Sequence, residues 1–107
     1  MAKAYFYIYE TVDLPIVLSD KDALQDYERI VVSISQAGYH SMNISDGLGI
    51  DVEAGTINVH LSQEDMSKFK KGSAIVQVNI KYLNTERDVS AMAQIDILDN
   101  LYKEIME

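Results

Sequence analysis

Two histidines, seventeen carboxylates and seven tyrosines are the side chains of this sequence most able to do chemistry. His40 and His60 lie far apart, and no H-x-x-x-H or H-E-x-x-H spacing sets two imidazoles on one helix face for zinc. His60 falls on the polar side of an apolar–polar alternation, and His40 follows Gly38-Tyr39 at a turn. Both are expected to be solvated. Carboxylates gather at Asp20, Asp22, Asp26 and Glu28, and again at Asp46, Asp51 and Glu53. Calcium needs several oxygens converging on one point, and the EF-hand pattern D-x-[DN]-x-[DN]-G is absent. Solvated acidic loops are the expectation, with a loop-built calcium site as the alternative.

Nucleophilic catalysis would need a serine or threonine positioned beside a base, and the chain has no G-x-S-x-G. The glycines are isolated and form no phosphate-cradling loop. The absence of cysteine removes disulfides, thiolate zinc sites and cysteine nucleophiles together. The expectation is a protein that is not an enzyme and uses no cofactor or metal. The N-terminal run is more informative. Tyr5, Tyr7 and Tyr9 alternate with Phe6 and Ile8, so a strand there would place three tyrosines on one face. With Phe6 and Ile8 on the core, the tyrosines form a candidate interface, because tyrosine is favoured at protein contacts. The competing reading is a strand buried on both faces.

These residues must be positioned by strands, because the dominant period of the chain is two. Ile57, Val59 and Leu61 alternate with Asn58, His60 and Ser62, and Val76, Val78, Ile80 and Tyr82 with Gln77, Asn79 and Lys81. Ser90 to Leu98 and Ile30 to Ser35 repeat the pattern, and shorter pieces run from Ser41 to Ser45 and Leu48 to Glu53. Ala4 to Tyr9 and Val12 to Leu18 open the chain, the latter confined by Pro15 to a sheet edge or a strand end. Turn signals at Ala37-Gly38, Asp46-Gly47, Ala54-Gly55, Lys71-Gly72 and Asn84-Thr85 separate these runs. Seven or eight short strands at this spacing predict an antiparallel sandwich or barrel.

One helical turn is predicted over Ser62 to Phe69. Ser62 caps it, Asp65 completes a capping box, Met66 and Phe69 share a face as a plug between sheets, and Gly72 ends it in a left-handed conformation. Leu101, Ile105 and Met106 have helical spacing, so the tail is either a helix or a frayed extension.

A length of 107 residues with 48% hydrophobic and 24% charged side chains suits a single domain, residues 1–107, with one core. The N-terminus has no apolar run long enough for a signal peptide, and no stretch of about 18 apolar residues would span a membrane. The expectation is a soluble chain made in the cytoplasm. Nine basic against seventeen acidic residues give a net charge of −8, which repels nucleic acid and anionic lipid. The only basic run, Lys68, Lys70 and Lys71, sits beside Glu64 and Asp65.

The run Ile57-Asn58-Val59-His60-Leu61-Ser62-Gln63-Glu64-Asp65 continues to Phe69-Lys70-Lys71-Gly72 and into a strand carrying Gln77. Upstream is Ile30-Val31-Val32-Ser33-Ile34-Ser35-Gln36, and a late strand ends at Asp99-Asn100-Leu101. This order resembles small prophage structural proteins of Gram-positive bacteria and, more remotely, the N-terminal β-sandwich domain of phage baseplate upper proteins. The likeness spans about residues 12–101, with Met66 where many of those proteins have threonine. It implies an all-β, immunoglobulin-like antiparallel β-sandwich with one short helical turn between strands, and a place in the virion, or in the host cytoplasm during assembly. It supplies no catalytic residues. The expected function is that of a tail, baseplate or head–neck component that binds itself, as a homo-oligomer, or other phage structural proteins. The alternative is a stand-alone carbohydrate- or ligand-binding module, for which only Tyr27 and Tyr39 would serve as loop aromatics.

Overall fold

The computed structural model describes residues 5–20, 22–89 and 93–107. Strands hold 54% of these residues and helix 5%, as the period-two pattern predicts. The order is β1 (Tyr5–Tyr7), β2 (Val12–Val17), β3 (Tyr27–Gln36), β4 (His40–Ile44), β5 (Gly49–Asp51), β6 (Thr56–Leu61), α1 (Gln63–Ser67), β7 (Gly72–Tyr82), β8 (Arg87–Val89) and β9 (Ala93–Leu98). The strands form two sheets that pack as a sandwich. The larger runs β1-β9-β7-β3-β4, and β8 also pairs with β7; the smaller runs β2-β6-β5. One pairing departs from the antiparallel expectation: β1 lies parallel to β9, with Tyr5 opposite Asp96 and Tyr7 opposite Leu98. A parallel pair needs a long connection rather than a hairpin. Joining the first strand to the last meets that need.

Alternation decides which side chains are buried. Val32 and Ile34 of β3, Val78 and Ile80 of β7, and Ile57 and Val59 of β6 all face inward and are almost inaccessible. Each such side chain contributes about 1.5–3 kcal/mol by leaving water. Their neighbours Ser33, Asn79 and Asn58 turn to the opposite faces. A one-residue slip would exchange the two sets, so this pattern sets the register.

Ser62 is the N-cap of α1, and the capping box is complete. Its hydroxyl accepts from Asp65 N–H at 3.1 Å, and Asp65 Oδ2 accepts from Ser62 N–H at 2.9 Å. Met66 and Phe69 are buried at the end of the sandwich, as expected of a plug. Gly72 does not end this helix. The helix stops at Lys68, a right-handed C-cap, and Gly72 is the first residue of β7 with φ +145°. The three residues between them are shaped instead by Gln36, the one buried polar residue among those described. Its side-chain amide donates to Lys70 C=O at 2.7 Å and accepts from Lys70 N–H at 2.9 Å, replacing the pairing that a neighbouring strand would give.

Residues 90–92, the start of the predicted Ser90 to Leu98 strand, lie outside the described residues. Before them runs a strand that the alternation did not show, β8, which pairs with Asn79, Ile80 and Lys81. The tail from Asp99 is neither helix nor strand. Gln63 holds it by the device Gln36 uses, donating to Met106 C=O and accepting from Met106 N–H, both at 2.8 Å.

Candidate functional site

The tyrosine face survives in part. Phe6 and Ile8 are buried, whereas Tyr5 and Tyr7 keep 49% and 43% of their surface exposed on the outer face of the large sheet. The strand is therefore covered on one face only. Tyr9 does not join the other two tyrosines. The chain must cross from β1 in one sheet to β2 in the other within four residues, and it breaks at Tyr9, where φ is +70°. Glu10 N–H donates to Tyr7 C=O at 3.0 Å to close that turn, and the Glu10 carboxylate accepts from Tyr7 N–H at 2.9 Å. Asn100 Nδ2 braces it by donating to Ile8 C=O at 2.9 Å. Tyr9 packs against the core as a result. The candidate interface reduces to Tyr5 and Tyr7, with Leu98 beside Tyr7.

The histidines part company. His60 lies on an exposed strand face, where its Nδ1 is 2.8 Å from Asp13 Oδ1 on the adjacent strand. His40 is only part-exposed. It opens β4, its ring meets Phe69 edge-on at 4.9 Å between centroids and 72° between planes, and its Nε2 is buried without a hydrogen-bond partner among the described residues. Sequence read it as a turn residue because Gly38-Tyr39 precede it. The strand begins one residue later than that turn, and Phe69 arrives from a distant segment.

The acidic loops serve local structure. Asp20 Oδ1 accepts from Asp22 N–H at 2.9 Å, Asp51 Oδ1 accepts from Ala54 N–H at 3.1 Å, and Glu28 pairs with Lys81 at 2.9 Å. Among the described residues no group of three or more histidine and carboxylate side chains is placed to hold a metal ion. No helix among them is long and apolar enough to cross a membrane.

The aromatic candidates of the two loops also differ from expectation. Tyr27 belongs to β3 and packs against the core, while Tyr39 is exposed with the Lys70 ammonium 4.5 Å above its ring. Opposite Tyr27 stands Tyr82, whose hydroxyl donates to Ala23 C=O at 2.6 Å and ties down the segment 22–26. Burial raises the Tyr82 hydroxyl above its ordinary value, and the carboxylates of Asp88 and Asp20 push it the same way. The neutral form is thus favoured in the fold. Its contribution is complete below the unfolded tyrosine value near 10 and is lost as pH rises through the higher folded value. Tyr82→Phe is expected to cost about 1 kcal/mol at neutral pH, for the lost hydrogen bond. The same change should flatten the decline in urea midpoint as pH rises above about 10. An unchanged alkaline slope would assign that decline to other groups.

One feature of the outer face is invisible in the linear sequence. Arg29 pairs with Lys81, and Lys81 with Arg87, so three cations stand in one row across β3, β7 and β8. They border a shallow groove of about 350 Å³ floored by Ser33, Asn43 and Asn79. Arg87 is held in place, because its Nε and a terminal guanidinium nitrogen donate to Asn79 Oδ1 at 3.0 and 2.6 Å. No family model and no curated protein matches the chain.

Sequence reasoning missed this row because its members are 52 and 6 residues apart in the chain, 29 to 81 and 81 to 87. A signal did exist. Lys81 and Arg87 stand three residues either side of Asn84, as partners about a three-residue hairpin loop must, and Thr85 takes the left-handed φ of +71° that such a loop uses.

Proposed function

We propose that this chain is a structural or assembly component of a phage particle, a tail, baseplate or head–neck protein, which acts by contacting copies of itself or neighbouring phage proteins. The observation that carries the reading is the β1 edge. A strand buried on one face by Phe6 and Ile8 presents Tyr5 and Tyr7 half-exposed on the other, where a second chain would cover them. The strand orders add support. A β2-β6-β5 sheet packed on a β1-β9-β7-β3-β4 sheet is a β-sandwich, the architecture that the resemblance implies. The resemblance described above gives the reading its phage context.

The carbohydrate-binding alternative draws on exposed loop aromatics. Tyr27 is taken up by the core and the Tyr39 ring is capped by Lys70, which leaves that reading with less support.

Sedimentation at two ionic strengths tests self-association. The native chain is expected to form an oligomer that tightens as salt screens its −8 charge. Tyr5→Ser with Tyr7→Ser should release monomer. A native chain that stays monomeric under every condition would reject self-association, and an oligomer indifferent to both changes would move the interface elsewhere. The phage context has its own test: the chain should co-sediment with purified particles.

A further inference from the structure

We propose that the outer face of the large sheet carries a docking site for an acidic protein segment, whose carboxylates are received by Arg29 and Arg87 of the Arg29–Lys81–Arg87 row. This rests on the reading of the chain as a protein-binding component and names the chemistry of one partner.

The row is costly to the fold that carries it. Like charges directly opposite each other on neighbouring strands destabilise a sheet. Only nine of the 107 residues are basic, against seventeen acidic, and three of those nine fall in a single cross-strand line. One charge is offset: Glu28 lies 2.9 Å from the Lys81 ammonium. Arg87 is oriented by Asn79, and the Arg29 guanidinium makes no hydrogen bond or ion pair among the described residues. A free guanidinium and a pre-oriented one therefore flank a neutralised lysine.

The geometry selects the ligand. Strands are spaced about 4.8 Å apart, so the two arginines stand on backbones about 10 Å apart, close enough for two carboxylates of one short segment. The guanidinium fork matches a carboxylate with two parallel hydrogen bonds. Beside them, Ser33 Oγ donates to Asn43 Oδ1 at 2.6 Å and Asn79 Oδ1 accepts from Arg87, which leaves the side-chain N–H groups of Asn43 and Asn79 to meet a peptide carbonyl. A nucleic acid fits less well. A long polyphosphate strand would run past the three cations onto a surface of net negative charge, whereas a short acidic segment can end close to the row.

The probe is a fluorescently labelled hexaglutamate peptide, titrated at low and high salt, with a labelled oligothymidylate of the same charge as comparison. The proteins are the native chain, Arg29→Gln, and Arg29→Gln combined with Arg87→Gln. The peptide is expected to bind the native chain, about tenfold more weakly to Arg29→Gln, and not measurably to the double variant. Binding should weaken as salt rises. The thermal midpoint of Arg29→Gln is expected to equal or exceed that of the native chain, since a like-charge contact is removed. A lowered midpoint would make the arginine a structural residue and overturn the site. So would peptide affinity unchanged by Arg29→Gln, no binding up to about 1 mM peptide, or oligothymidylate binding as tightly as the peptide. Self-association read by sedimentation is independent of all these. A failed titration with an intact oligomer removes this site and leaves the structural reading in place.

Discussion

Phe69→Ala is expected to lower stability by about 3–5 kcal/mol, the largest effect of any single change considered for this domain. The ring is 2% exposed and closes the end of the sandwich together with Met66. The capped turn α1 delivers it there, because the Ser62–Asp65 box sets where the helix begins and hence which residues face inward. Truncation removes the transfer free energy of the ring and leaves a void that the two sheets cannot close. It also strips the edge-on partner from His40, whose buried Nε2 already lacks a hydrogen bond among the described residues. His60→Ala is the matched control. That ring sits on the exposed face of β6, and its pairing with Asp13 is 58% and 66% exposed, so the change should cost no more than about 0.5 kcal/mol. Denaturant midpoints of the two variants, at equal m-value, give the comparison. A costlier His60 change would mean that the faces of β6 are assigned the wrong way round.

Gln36→Leu is expected to cost about 2–3 kcal/mol, although leucine is the more apolar residue and the position is only 4% exposed. Burial of an apolar side chain would ordinarily favour the change. The decisive term is what it leaves behind. Lys70 N–H and C=O lose their partners at 2.9 and 2.7 Å, in a part-buried setting where water replaces them poorly. The linker between α1 and β7 then loses its one described cross-link to β3, and with it the seating of Phe69 next door. Gln36→Glu should be at least as damaging, since a carboxylate can accept from Lys70 N–H but faces the Lys70 carbonyl oxygen with no proton to give. Urea unfolding of both variants decides the matter. A Gln36→Leu protein as stable as the native chain would show that the linker is held by its backbone alone.

The strand periodicity, the helix cap and the plug were all readable along the chain, because each depends on residues within a few positions of one another. The alternation of Ile57, Val59 and Leu61 with Asn58 and His60 assigned the two faces of β6, since an unbroken alternation admits one register between core and solvent. The same logic identified Phe6 and Ile8 as the buried side of β1. It failed one residue later. Alternation carries no information on where a strand leaves its sheet, and the crossing to β2 turned Tyr9 out of the stripe and against the edge of the core.

The remaining features depend on segments distant in sequence. The amide of Gln36 meets Lys70 across 34 residues, and His40 meets Phe69 from another sheet segment. The parallel pairing of β1 with β9 joins the two ends of the domain. The Arg29–Lys81–Arg87 row exists only because β3 and β8 lie on opposite sides of β7. The amino-acid sequence by itself determined the class of fold, two sheets with one capped turn between them, because hydrophobic period and turn chemistry are local. Which polar and charged groups came together on the outer face was decided by the tertiary structure alone, because pairing partners are chosen by packing of the whole core.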